Sequence, residues 1–277
     1  MRYYQREEVS SIEEIRHPSV RGCLKFLGVD AGIDLVHHGD LPARSGLGSS
    51  STFTVGLLHA LYALKNEMPT KRQLAIDAIH IEQDLIKEHV GSQDQTAAAF
   101  GGLNRINFGG ASEITVQSVI LPPSRLEMLE SHIMLFFTGF SRTASDIAKE
   151  QIKQMPRKKE QLYRMVQLVD DAMDVLLHQG DNLDDFGRLL DEQWRVKKEM
   201  TSHISNGDID RIYEAGIGAG ALGGKLLGAG GGGFMLFFVQ SEHRERVKKA
   251  LDHLLYVPAR FDHLGSQIIY YSPEDNY

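Results

Sequence analysis

The stretch Leu41-Pro42-Ala43-Arg44-Ser45-Gly46-Leu47-Gly48-Ser49-Ser50-Ser51 constrains this chain more than any other. Two glycines two residues apart precede three consecutive hydroxyls, and a helical pattern begins at once. Glycine lets the backbone turn sharply and come close to a ligand. The first amides of the helix have no internal partner and lie at the positive end of its dipole. A phosphate supplies the acceptors and the charge that such a helix start lacks. Serine hydroxyls there can cap the helix or reach a magnesium ion. An ordinary Ser N-cap after a Gly turn has the same local pattern, so the rest of the chain must decide.

Composition narrows the ligand. The 277 residues carry a net charge of −7 without a basic block, which argues against nucleic acid or an anionic membrane surface as partner. An anion must then be held locally, by backbone amides, one or two cations and a metal. The chain is 42% hydrophobic and 24% charged, as expected of a globular protein with one large domain or two modest ones. Cys23 is the only cysteine, so no internal disulfide forms and a reducing, cytoplasmic setting fits. Residues 1–8 contain no apolar h-region, and no apolar run approaches the ~20 residues of a membrane span. The 27 glycines cluster at 101–110 and 216–233, which points to loops with a task.

Periodicity predicts helices over 10–27 (broken at Pro18), 50–66, 71–89, 157–178, 182–200, 208–221 and 243–255. Thr70-Lys71-Arg72-Gln73 has the form of a capping box. Strands are predicted at 33–38, at 103–108 and 114–121 as a hairpin, at 132–137 and at 261–271. Residues 234–239 are apolar on both faces and read as a buried central strand. Pro122-Pro123 marks a domain boundary, giving 1–122 and 123–277.

Two acidic residues stand out. Ala75, Ile79, Glu82 and Ile86 fall at i, i+4, i+7 and i+11, one stripe of a helix. A carboxylate in an apolar row is costly unless it is paired or bound to a metal. A position at the edge of the stripe, where the side chain snorkels or pairs with a lysine, is the alternative. Asp94 follows a Gly-Ser turn and opens a helix of small residues, where capping is a sufficient reason for an aspartate. Arg142, after Thr138-Gly139-Phe140-Ser141, could meet a phosphate or simply lie on the surface.

Two common nucleotide loops fail. Gly218-Ala219-Gly220-Ala221-Leu222-Gly223 and Gly228–Gly233 match a dinucleotide fingerprint in letters, but that fingerprint needs a strand before it and a helix after it. A Walker A loop fails because Leu226, not Ser or Thr, follows Lys225.

Pro42 with Gly46-Leu47-Gly48-Ser49-Ser50-Ser51, then Glu82, then Asp94, then Lys225–Gly233, in this order, resembles the GHMP kinase family of galactokinase, homoserine kinase, mevalonate kinase and relatives. Stretches 44–54, 91–104 and 222–235 are most similar to the branch acting on D-glycero-D-manno-heptose phosphate. The resemblance implies an α+β fold of two domains, ribosomal-protein-S5-like at the N-terminus and ferredoxin-like at the C-terminus. It implies an ATP- and Mg2+-dependent kinase of a small-molecule sugar phosphate. Ser45, Gly46, Leu47, Gly48, Ser49, Ser50 and Ser51 would wrap the ATP phosphates, and Ser50 and Glu82 would hold Mg2+. Asp94 would act on the acceptor hydroxyl, and Gly230, Gly231, Gly232 and Arg142 would face the substrate. A homodimer is compatible with it. A fucose- or galactose-like acceptor, and a non-catalytic nucleotide-binding relative, remain open. Family members normally begin with a further strand and a P-x-R-[IV]-[SN]-like motif, which this sequence lacks. The expectation is a first domain short of strands and substrate contacts, with an exposed sheet edge.

Overall fold

A computed structural model describes residues 6–30, 32–40, 45–109, 113–139, 144–178, 180 and 182–273. They divide into two compact units. Residues up to 40, Ser49–Ser118 and those from Asp262 onward form the first; residues 45–48 and Val119–Phe261 form the second. The division after Ser118 lies near the Pro122-Pro123 boundary, whereas the segment from Asp262 groups with the first unit.

In the first unit, helix α1 (Pro18–Leu27) begins on a proline, whose missing N–H is no loss at that position. Helix α2 (Ser49–Leu64) follows the glycine loop, and α3 (Lys71–His80) starts on Thr70. The Thr70 hydroxyl oxygen accepts from the Gln73 N–H at 3.1 Å, half of the expected capping box. A π-helical turn, Ile81–Leu85, continues α3. Then come α4 (Gln93–Phe100) and the antiparallel hairpin β1 (Asn104–Phe108) with β2 (Ile114–Ser118), in which Ile106 faces Val116. Cys23, Leu24, Val55, Leu58, Leu61, Leu74, Ala78 and Ile81 form the buried core of this unit. Each large aliphatic side chain buried there contributes about 1.5–3 kcal/mol.

Two predicted strands are corrected. Residues 33–38 alternate between two faces and 261–271 are rich in strand-forming residues, yet neither pairs in a ladder among the described residues. A strand is defined by its neighbours, and residue pattern cannot supply one. The second of these segments is instead pinned at its start. The Gly102 N–H donates to Asp262 O at 2.6 Å, the Ser266 N–H donates to Ala98 O at 2.9 Å, and Lys71 Nζ donates to Phe100 O and Leu264 O.

The second unit runs α5 (Pro123–His132), β3 (Ile133–Phe137), α6 (Ala144–Gln154), α7 (Lys159–Leu177), α8 (Asp184–Lys198), α9 (Gly207–Gly218), β4 (Ala221–Leu226), β5 (Phe234–Val239), α10 (Arg244–Ala250) and β6 (Leu255–Val257). Its sheet has the order β4-β5-β3-β6, antiparallel throughout. With helices between β3 and β4 and between β5 and β6, this is the β-α-β-β-α-β ferredoxin-like arrangement the resemblance implies. β5 is central and apolar on both faces, as predicted. Phe136, Phe237, Val239, Trp194 and Tyr213 belong to the core beneath it. β4 was not foreseen, because Gly223-Gly224 lowers strand propensity. A β-carbon at Gly223 would overlap Gly187 O, so glycine there lets β4 and α8 touch backbone to backbone.

Candidate functional site

The two glycine segments meet in the second unit. Gly46 has φ +80° and Gly228 has φ +74°. A β-carbon at Gly228 would lie 2.9 Å from Gly46 Cα and 3.0 Å from Gly46 O. One at Gly46 would lie 3.0 Å from Leu227 O, and one at Gly233 would overlap Ser45 O. The segments therefore lie backbone on backbone, with no room for a side chain. The far loop is tied down on its other side. The Gly231 N–H donates to Ile204 O at 3.0 Å, and Lys197 Nζ donates to Gly228 O at 2.6 Å. Gly230 and Gly232 also have positive φ, and a β-carbon at Gly230 would press on Ile204. Ser45 is buried, and its Oγ has no hydrogen-bond partner among the described residues.

The division between units falls between Gly48 and Ser49. Ser49, Ser50 and Ser51 are the first three residues of α2, so their N–H groups lack partners one turn back. Ser51 and Thr54 are buried, on the same face as Leu58 and Leu61. Ser50, about 100° away around the helix, is exposed.

The buried hydroxyls meet Glu82, only 1% exposed in the first π-helical turn after α3. Ser51 Oγ donates to Glu82 Oε2 at 2.7 Å, and Thr54 Oγ1 donates to Oε1 at 2.8 Å. Gln95 Nε2, from the first turn of α4, also donates to Oε2. All three donors are neutral, and no cation pairs with Glu82 among the described residues. The stripe reading is therefore correct, and the lysine-paired alternative is not what the structure shows. The charge is felt nearby. Burial, then Glu82, push the Cys23 thiol up to about 12. The same two causes raise the Glu88 carboxyl above its usual range.

Asp94 lies one residue before Gln95 in the first turn of α4, at the end of the helix that favours an anion. The N-cap position belongs to Ser92, so capping is not the reason for Asp94. Arg142, like Pro42 and Arg44, lies outside the described residues.

A divalent cation suits this donor set. Carboxylate, hydroxyl and amide oxygens are the hard ligands Mg2+ prefers, and it usually takes only one or two carboxylates from the protein. The Glu82 charge lacks a counter-ion, and Gln95 Oε1 is buried without a partner among the described residues. Thr54 and Gln95 were missed in the sequence. Thr54 was legible at i+3 from Ser51. Gln95 was masked by Ser92-Gln93-Asp94-Gln95, which has the letters of a capping box, although its side chain turns to Glu82 instead.

Comparison with known proteins gives two matches to family models. Residues 18–102 match the GHMP kinases N terminal domain and 172–257 match GHMP kinases C terminal. The chain is 35% identical over 217 residues to the D-glycero-alpha-D-manno-heptose 7-phosphate kinase of Campylobacter jejuni, covering 77% of this chain and 63% of that protein. It is 26% identical to the mevalonate kinase of Pyrococcus abyssi, covering 77% and 62%. The chain thus spans less than two thirds of the length of either relative. Among solved structures, a D-glycero-D-manno-heptose 1-phosphate kinase from Bacteriodes thetaiotaomicron superposes with a TM-score of 0.71 at 27% identity, over 92% of this chain and 76% of that one. A mevalonate kinase shares the fold at a TM-score of 0.67 and 20% identity, over 91% and 79%.

Proposed function

The chain belongs to the GHMP kinase family, and on that premise we propose that it transfers the γ-phosphoryl group of ATP to a hydroxyl of a sugar phosphate. The observation that carries the proposal is Glu82. It is a buried carboxylate held only by neutral donors, one of which neighbours Asp94 in the chain.

Phosphoryl transfer asks mainly for positioning and charge neutralisation. The backbone from Ser45 to Gly48 and the amides of Ser49, Ser50 and Ser51 would receive the ATP phosphates. Glu82, with the Ser50 hydroxyl, would hold Mg2+, which when bound neutralises phosphate charge. The Ser51 hydroxyl orients Glu82, so its N–H is what Ser51 offers a phosphate. Asp94 accepts the proton of the acceptor hydroxyl, or orients that hydroxyl, as the new O–P bond forms and the bond from the γ-phosphorus to the β–γ bridging oxygen breaks, with ADP leaving. Gly230, Gly231 and Gly232 are assigned to the acceptor, and Arg142 is the cation assigned to its distal phosphate.

The acceptor we assign is D-glycero-D-manno-heptose 7-phosphate, phosphorylated at its anomeric hydroxyl. The name of the 35%-identical relative supports this assignment. The test is ADP release with ATP, Mg2+ and a panel of heptose and hexose phosphates and neutral sugars. ADP is expected with heptose 7-phosphate, with phosphate appearing on C1. Turnover of fucose or galactose alone would move the acceptor to a neutral sugar. No ADP with any member of the panel would overturn the kinase reading.

A further inference from the structure

Gln95 is fully buried, and its side-chain amide is used on one side only. Nε2 donates to Glu82 Oε2, the oxygen that also takes the Ser51 hydroxyl. Oε1 is shielded from solvent and has no partner among the described residues. A buried acceptor left open is unfavourable, so a bound donor is the economical reason for it. An amide is planar and rigid, and holding a carboxylate by its N–H fixes where its oxygen points. The backbone adds a further constraint. Gln95 follows Asp94 within one helical turn, and Glu82 lies in a π-helical turn, with the Glu88 N–H returning to Glu82 O at 2.9 Å. π-Turns are rare and gather at functional positions.

We propose that Gln95 is a positioning residue for the cation of this site: its amide N–H fixes the orientation of Glu82, and its amide oxygen accepts a hydrogen bond from water on that cation. Gln95 thereby also sets the spacing between Glu82 and Asp94. The inference rests on the kinase reading above. Groups that orient metal ligands in this way change metal affinity by roughly 10–100-fold when removed.

The test is Mn2+ binding in the presence of ATP, followed by electron paramagnetic resonance, on the parent and on Gln95→Met. Methionine keeps length and burial but offers no N–H and no amide oxygen. The half-saturating Mn2+ concentration should rise roughly 10–100-fold, while metal-free ATP binding in EDTA, measured by calorimetry, stays within about twofold. Unchanged Mn2+ binding in a folded Gln95→Met protein would overturn the proposal and leave the kinase reading standing. Equal losses of metal-free ATP binding and Mn2+ binding would assign Gln95 a merely structural role and also overturn it. Should Gln95→Met fail to fold, Gln95→Asn is read by the same two criteria, since its shorter amide cannot reach Glu82. A parent that binds no Mn2+ with ATP would sink the kinase reading and this inference together.

Discussion

Replacing Gly228 by alanine tests the backbone contact on which the glycine loops depend. Its φ of +74° lies in the left-handed region, which costs an L-residue roughly 1–2 kcal/mol. The new β-carbon would lie 2.9 Å from Gly46 Cα and 3.0 Å from Gly46 O. Those are main-chain atoms and cannot swing aside, so the strain of overpacking, roughly 1–3 kcal/mol, adds to the φ penalty. The expected loss is about 3 kcal/mol, or roughly 6–12 °C in Tm for a protein of this size. Two other glycines of the same unit separate the contributions. Gly139 has φ +77° but nothing within 4 Å of an added β-carbon among the described residues, so Gly139→Ala reports the φ penalty alone. Gly218, exposed at the end of α9, has neither constraint, and Gly218→Ala should stabilise by roughly 0.5–1 kcal/mol. Thermal unfolding by circular dichroism gives the order Gly218→Ala above parent, then Gly139→Ala, then Gly228→Ala. A Gly228→Ala protein that melts no lower than Gly139→Ala would refute the contact argument.

Asp94→Asn should lower turnover by roughly 10²–10⁴-fold while ATP binding measured by calorimetry is kept; turnover equal to the parent's would remove Asp94 from the chemistry. Glu82→Gln should raise the Mg2+ concentration for half-maximal turnover at least tenfold, whereas Asp77→Asn, at the other buried carboxylate of this helix, should lower Tm and leave the Mg2+ titration in place. Lys225 on β4 is half-buried, and burial pushes its ammonium from the usual 10.5 down to about 8. Its folded pKa lies below the unfolded one, so the unfolded state binds more protons between about pH 8 and 10.5, and stability rises with pH across that window. Below pH 8 the penalty is fully present, so Lys225→Met should stabilise by up to about 3 kcal/mol at pH 7 and flatten the rise seen in urea unfolding from pH 8 to 10.5.

What the sequence revealed depended on whether the deciding contact was local. Glu82 was legible because Ala75, Ile79 and Ile86 mark the buried face around it by helical spacing alone. The central strand β5 was legible because an apolar run on both faces has few other places to go. The tail after Asp262 was misread because Ile268, Ile269, Tyr270 and Tyr271 are strand-forming residue types, while its hydrogen bonds go to Ala98 and Gly102, far away in the chain. β4 was missed for the opposite reason. Its Gly223 is tuned to the approach of α8, a tertiary demand that overrides strand propensity. Gln95 was hidden by ambiguity, since the letters of a capping box fit the place where the side chain serves Glu82 instead.

The comparison of Asp77 with Glu82 explains why the second carboxylate suits a cation and the first does not. Both are buried, and both are held by neutral donors. Asp77 takes the Tyr62 hydroxyl on one oxygen and the Gln73 amide on the other, each at 2.7 Å. Tyr62 lies in the last turn of α2, where the helix dipole is negative and no anion is expected to gather. Glu82 takes its hydroxyls from Ser51 and Thr54 in the first two turns of the same helix. There, unpaired amides and the positive dipole end draw phosphate. Two anions brought to one helix start repel each other unless a cation joins them. A lysine or arginine in place of Thr54 or Gln95 would neutralise Glu82 permanently and occupy the cation's place. Neutral donors fix the orientation of the carboxylate and leave its charge intact, a combination that a metal-binding carboxylate requires and a purely structural one does not.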